Sequence, residues 1–311
     1  MLHLSRNFEP APPNPAPRAP FRLKRRPEER VRLLGCQMDL VKPAEVFQYV
    51  DGVLQAGRKA IVANHNLHSL YLARQDAEVR RFFEMADLIE IDSTPLIAWA
   101  RLIGENSRGF HRCTYLDWRD DFWSRSAAQG WRVYFLGGAG DVAALAADRI
   151  RAEWPGVELR THHGYFDMAD GSAENAAVVT EIEAFAPHVL LVGMGMPRQE
   201  IWIARNYERL PACVMFSVGG AFDYEAGVQK PCPRWMGRMG VEWLFRLAGN
   251  PRRLFSRYCI EPWSLVVPAL DDLKLMAQRR RHARNRRSAI HYLPPRPNAG
   301  RQERKLMSLD G

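Results

Sequence analysis

Asp92 stands directly after the apolar run Leu88–Ile91. A carboxylate placed at such a point can take a proton from a reacting hydroxyl. Asn64 and Asn66 follow the run Lys59–Ala63, and Gly137 and Gly138 follow Trp131–Leu136 in the string G-G-A-G-D. Gly193 and Gly195 follow His188–Val192, with Gln199 close behind, while Gly219, Gly220 and Asp223 follow Val214–Val218. Glycine at these points lets a ligand approach the backbone closely. The helix expected over Arg198–Arg209 would offer free N–H groups at its start to an anion such as a diphosphate. The plain alternatives are a tight strand-to-helix turn at each glycine pair and a helix cap at Asp92 or Ser93.

These residues converge only if the runs before them are parallel strands of one sheet. The spacing supports that arrangement. Helical periodicity covers Pro43–Ala56, Leu67–Ala73, Ala77–Met85, Pro95–Ile103, Tyr115–Gln129, 140–154 and Ala173–Phe185, and short buried-strand runs lie between them, including Val31–Leu34 and Val157–Thr161. Alternating strand and helix predicts an α/β fold, a Rossmann-like parallel sheet flanked by helices. Ligands bind such sheets beyond the carboxyl ends of the strands.

After Asp223 the pattern changes. Short helices are expected over Pro231–Met239 and Val241–Ala248, then an amphipathic stretch over Trp263–Arg281. Trp235, Trp243, Phe245, Phe255, Tyr258 and Trp263 interleave with Arg246, Arg252, Arg253 and Arg257. That mixture suits a lipid headgroup interface, a single-stranded nucleic-acid groove, or a self-packed helical hairpin. The chain therefore divides into a Pro- and Arg-rich tail expected to be disordered (1–29), a catalytic α/β core (30–230), a helical appendage (231–278) and a basic tail expected to be disordered (279–311).

The formal net charge is +9 over 311 residues, and it is unevenly placed. Residues 1–30 carry seven Lys/Arg against three Glu, and residues 274–305 carry eleven against one, which leaves the stretch between slightly acidic. A nucleic-acid-binding domain more often carries its positive charge on the folded part, so basic tails fit an anionic membrane surface or a polyanionic partner. The five cysteines are scattered without a C-x-x-C pair, as expected of free thiols in a reducing compartment. No apolar run reaches the roughly 18 residues that span a bilayer. No signal-peptide core is evident either. The expected location is cytoplasmic, peripheral on the inner face of the membrane.

Several runs together resemble the WecG/TagA/CpsF glycosyltransferases. They are Gly193–Glu200 with Trp202, Val218–Asp223, Glu242–Leu247 with Pro251–Leu254, Ala86–Leu88 before Asp92, Leu136–Gly138, and His163–Phe166. The resemblance implies a Rossmann-like core with a C-terminal membrane-binding helical appendage. It implies inverting, metal-independent transfer of a hexose from a UDP-sugar to a polyprenyl-diphosphate-linked sugar, forming a β-1,4 linkage in exopolysaccharide or cell-surface glycan synthesis. Carried over, Asp92 corresponds to the proposed general base and Asn66 to an asparagine near acceptor or sugar. Arg112, Gln199 and Asp223 correspond to motif positions of the substrate site. Arg246, Arg253 and Arg257 correspond to appendage arginines that hold diphosphate groups.

Three positions depart from the family pattern: Asn64, Ser93, and Tyr115 with its neighbours. They leave the donor open between glucose and N-acetylmannosamine, and the larger Tyr115 and Ser93 lean toward a hexose without the acetamido group. The transfer needs one base for the acceptor proton and cations for the departing diphosphate. The chain has no Asp-x-Asp, and adjacent His162 and His163 on a strand would point to opposite faces, so neither a metal site nor a cofactor is expected. A homo-oligomer is compatible with the sequence. The competing reading is a nucleotide- or nucleic-acid-binding α/β protein that uses its basic tails.

Overall fold

The structure, a computed structural model, describes residues 30–230 and 232–291, without the side chains of Arg234, Arg238, Arg253 and residues 283–291. The expected N-terminal tail, and residues 292–311 of the basic tail, lie outside the described residues. The chain enters through a hairpin, β1 (Arg30–Leu33) and β2 (Cys36–Asp39), whose turn places Leu34 and Gly35 at positive φ. β2 was not expected, since C-Q-M-D lacks an apolar strand pattern. It docks beside the main sheet, where Asp39 Oδ2 accepts from the backbone N–H of Ile89 at 2.7 Å.

The core then runs α1 (Pro43–Gln55), β3 (Ala60–His65), α2 (Leu67–Gln75), α3 (Ala77–Met85), β4 (Leu88–Ile91), α4 (Thr94–Leu102) and α5 (Tyr115–Gln129). It continues β5 (Arg132–Gly137), α6 (Gly140–Glu153), β6 (Glu158–His162), α7 (Ala173–Phe185), β7 (Val189–Gly193), α8 (Arg198–Asn206), β8 (Val214–Ser217) and α9 (Ala221–Glu225). Local chemistry sets several of these ends. Pro43 opens α1, Asp76 caps α3 by accepting from Glu78 N at 2.8 Å, and Gly130 in the left-handed region ends α5.

Among the described residues β3–β8 form one six-stranded parallel sheet in the order β4-β3-β8-β7-β5-β6. Its strands are apolar on both faces, as a sheet covered twice must be. Val133, Phe135, Val189, Leu191 and Phe216 point toward α1, α5 and α6. Their neighbours Tyr134, Leu136, Leu190, Val192 and Met215 point toward α3, α7 and α8. α6 leaves β5 on one face and α8 leaves β7 on the other, which opens a crevice between the ends of those adjacent strands.

Beyond α9 come α10 (Arg234–Met239), α11 (Glu242–Gly249), α12 (Pro251–Phe255), a π-turn over 256–260, a 3-10 turn over 261–265, and α13 (Val266–His291). The tail expected to begin at residue 279 is instead part of α13 as far as His291. Arg, Ala and Gln are good helix formers, and no Gly or Pro interrupts the run before Pro294. α13 is anchored to the core. Leu265, Ala269, Leu273 and Met276 join the apolar cluster of the hairpin and α4, and the buried Asp272 accepts from Leu34 N at 2.7 Å and from Trp99 Nε1 at 2.9 Å.

Gly137 lies at a close approach of β5 and β7, where an added Cβ would sit 2.2 Å from the carbonyl oxygen of Gly193. Gly137→Ala is therefore expected to lower stability by about 2–3 kcal/mol, or to prevent folding, as measured by chemical denaturation.

Candidate active site

Asp92, Asn64, Asn66, Arg112, Gly138, Gly193, Gly195, Gln199, Gly219, Gly220, Asp223, Arg246 and Arg257 all line one cleft of about 1290 Å³ at the carboxyl ends of the strands. Gly137 does not line it, because its place is the β5–β7 contact. The Arg253 side chain lies outside the described residues. The cleft floor is made by the turns after β5, β7 and β8. Gly195 and Gly219 adopt positive φ, and nothing lies within 4 Å of where a Cβ would stand on either, so the backbone there is open to the cleft. Gly193 also has a packing role, since a Cβ would meet Gly219 O at 2.6 Å.

Several expected ligand contacts are engaged within the protein. Gln199 is buried, with Oε1 accepting from Gly219 N at 3.0 Å and Nε2 donating to Glu200 Oε1 at 2.7 Å. It holds the β8 turn in place. Asn64 Nδ2 donates to Ser217 O at 2.6 Å and ties the ends of β3 and β8 together. Asn66 caps α2 by accepting from Ser69 N at 3.0 Å. These side chains shape the rim. Tyr115, read from the sequence as facing the sugar, has its ring buried and its hydroxyl donating to Glu225 Oε1 at 2.6 Å. Arg119 grips the same carboxylate through Nε and Nη2 at 2.8 Å each, so α5 clamps α9 under the Asp223 turn. Ser93 is the N-cap residue of α4 and is not among the lining residues.

Asp92 is placed by the ends of two strands. Its backbone N–H donates to His65 O at 2.9 Å, and its carboxylate is half-buried, with no side-chain hydrogen-bond partner among the described residues. A 3-10 turn over Gly109–His111 brings the next segment alongside β4, where Ile91 bridges to Arg112. Arg112 thereby reaches the cleft, pairing with Asp117 at 3.0 Å and Glu242 at 3.5 Å. Arg246, from α11, donates through Nε to Glu242 at 2.9 Å and through Nη2 to Tyr224 Oη at 3.0 Å. Removal from water pushes the Asp92 carboxyl up to about 7; Arg246 and Arg112 oppose this shift, while Glu242 and Asp117 reinforce it. The result is a carboxylate poised to accept a proton near neutrality.

Arg257 differs from Arg246. It lines the cleft with a buried Nε that has no hydrogen-bond partner, and no carboxylate is within ion-pair distance among the described residues. Burial depresses its affinity for its proton. A guanidinium held in this way is ready for an anionic ligand.

Sequence reasoning missed five residues of the site. Glu90, two residues before Asp92 on the same strand face, is buried with Oε1 unpartnered, and burial drives its pKa well up, with Asp92 and Asp117 adding to the rise. Period-two alternation was the signal for it. Glu90 lies behind the cleft wall and does not line it, whereas Glu242, Tyr224, His68 and Glu261 do. Glu242 fell inside a motif read only for its arginine, and the other three carry no sequence signal. Among the described residues no group of three or more His, Cys, Asp or Glu is placed to hold a metal ion.

Residues 31–281 match the glycosyl transferase WecG/TagA/CpsF family. The N-acetylglucosaminyldiphosphoundecaprenol N-acetyl-beta-D-mannosaminyltransferase of Staphylococcus aureus strain MRSA252 is 25% identical over 235 residues, covering 72% of this chain and 87% of that protein. The enzymes of the same name from strains MW2 and NCTC 8325 are 24% identical over the same lengths.

A carboxyl raised by burial costs stability once it ionises. Its contribution is intact below the unfolded carboxylate range near 4 and is lost as pH rises through about 7. Asp92→Asn is thus expected to stabilise the fold by roughly 2–4 kcal/mol at pH 8 and hardly at all at pH 4, read as the difference in melting temperature between the two pH values.

Proposed function

We propose, since the chain belongs to the WecG/TagA/CpsF glycosyl transferase family, that it moves a hexose from a UDP-sugar to a polyprenyl-diphosphate-linked sugar. The observation that carries this reading is the raised, unpartnered Asp92 carboxylate in the same cleft as the unpaired Arg257. Asp92 accepts the proton of the acceptor hydroxyl as that oxygen attacks the anomeric carbon. The bond from that carbon to the UDP oxygen breaks on the opposite side, so the configuration inverts and a β product forms. Charge develops on the departing diphosphate. Arg257, with Arg246 beside it, is suited to stabilise that charge. No step requires a cofactor.

Within this reading N-acetylmannosamine is the favoured donor and a diphosphate-linked N-acetylglucosamine the favoured acceptor, joined β-1,4. The names of the Staphylococcus aureus relatives support the two sugars. The lean toward a hexose without the acetamido group rested on Tyr115 and Ser93; Tyr115 lines the cleft with its hydroxyl already held by Glu225, and Ser93 does not line it. Transfer from UDP-N-acetylmannosamine and UDP-glucose to a synthetic polyprenyl-diphosphate sugar, followed by mass spectrometry, tests the assignment. Asp92→Asn is expected to lower kcat by about a thousandfold with UDP binding retained; full turnover in that variant removes Asp92 as the base. In the native enzyme kcat/KM should rise with pH and level off above about 7, the range in which Asp92 becomes ionised.

The same reading places the enzyme against the cytoplasmic face of the inner membrane. No helix among the described residues is long and apolar enough to cross a membrane. The C-terminal helices nevertheless expose Trp235, Trp243, Phe255, Trp263, Val267 and Leu270, with Trp263 75% exposed, and the same helices expose Arg252 and Arg279–Arg281. Aromatics and aliphatics beside arginines suit an anionic headgroup layer. Because α13 is anchored through Asp272, surface substitution is a cleaner test than deletion. Changing Trp263, Val267 and Leu270 together to Ser should cut sedimentation with phosphatidylglycerol vesicles by tenfold or so while leaving UDP binding unchanged.

A further inference from the structure

We propose that His68 acts as a positioning residue for Arg257, by holding Glu261 away from it and so keeping the guanidinium free for an anion. His68 is on α2 of the core and Glu261 opens the 3-10 turn of the C-terminal helices, 193 residues later. His68 Nδ1 and Glu261 Oε2 meet at 2.5 Å, and both residues line the cleft. Arg257 precedes Glu261 by four residues, so their side chains leave the same stretch of turned backbone. The two feel each other electrostatically, as do Arg257 and His68. Yet no ion pair joins Arg257 to Glu261 among the described residues, and Arg257 Nε is buried without a partner.

A carboxylate four residues from an arginine is a ready internal counter-ion. Left alone, Glu261 would satisfy Arg257 and close the anion seat. The hydrogen bond to His68 gives Glu261 a different partner. Burial of the imidazole and the nearby Arg257 charge both disfavour its proton, while Glu261 favours it. In either protonation state Nδ1–H can donate to the carboxylate. The Tyr71 ring lies nearly parallel to the imidazole, 6.5 Å away between centroids. The arrangement also makes a free Arg257 conditional on the C-terminal helices resting against α2. This proposal depends on reading Arg257 as a cation of the leaving-group site.

The test is a double-mutant cycle read by calorimetric binding of UDP and of inorganic pyrophosphate to the full chain. His68→Ala should weaken both by about tenfold, the loss of one charge-assisted hydrogen bond. Glu261→Gln should bind at least as well as wild type, because a neutral amide cannot neutralise Arg257. His68→Ala combined with Glu261→Gln should recover the affinity that His68→Ala lost. His68→Gln, whose amide can still donate to Glu261, should stay near wild type. A contact that merely braces the seam gives the opposite pattern, with the double variant no better than His68→Ala. That pattern, or binding unmoved by His68→Ala, or a wild type that binds neither anion, overturns the proposal. A wild type that binds pyrophosphate and follows the cycle but transfers no sugar would sink the glycosyltransfer reading and leave the role of His68 standing.

Discussion

The site around Asp92 is organised by a conflict between the partial burial of a carboxylate and the guanidinium groups gathered beside it. Burial raises its proton affinity; guanidinium groups, which the departing diphosphate needs, lower it. The fold reconciles the two by giving the nearby arginines other carboxylates. Arg112 is held by Asp117 and Glu242, and Arg246 by Glu242 and Tyr224. Their positive charge stays in the neighbourhood without collapsing onto Asp92. Glu90 is buried behind it on the same strand face, and burial raises its proton affinity as well.

The sheet supplies the rigidity this balance requires. Close approach of β5, β7 and β8 at Gly137, Gly193 and Gly219 fixes the cleft floor to within the tolerance of a backbone contact. Gln199 and Asn64 stitch the same strand ends from above. The Glu225 clamp beneath α9 completes the frame, with Tyr115, Arg119 and Trp123 sharing one buried network. Side chains that resemble ligand contacts in the motifs are in several cases the frame itself.

Much of this fold was legible because both faces of the sheet are buried. Runs such as Val189–Val192 and Val214–Ser217 have no other stable destination, and the helices between them show a clear apolar stripe. Strand order was not legible, since it depends on which face each crossover helix takes. β2 escaped notice because C-Q-M-D shows no strand pattern, and what holds it is pairing with β1, burial of Met38 and the Asp39 bond to a neighbouring strand. The length of α13 escaped because an Arg-rich run reads as a solvated tail until its earlier turns are seen packed on the hairpin and α4. In the site, positions at strand ends could be read from topology alone. What each side chain touches could not. Nothing in the sequence separates Arg246, already paired, from Arg257, unpaired, and nothing pairs His68 with a glutamate at the far end of the chain.

The chemistry and the surface of the C-terminal helices belong to one argument. Leu265, Asp272 and Leu273 face the core and hold α13, while Trp263, Val267 and Leu270 face outward from the same few turns. The 3-10 turn that presents Trp263 also presents Glu261 to His68, and the π-turn before it presents Arg257 to the cleft. Anything seated on the outward residues would bear on the segment that carries Arg257. Fewer than ten residues separate Arg257 from Trp263, so one short stretch of chain carries both a guanidinium that lines the cleft and an outward-facing indole.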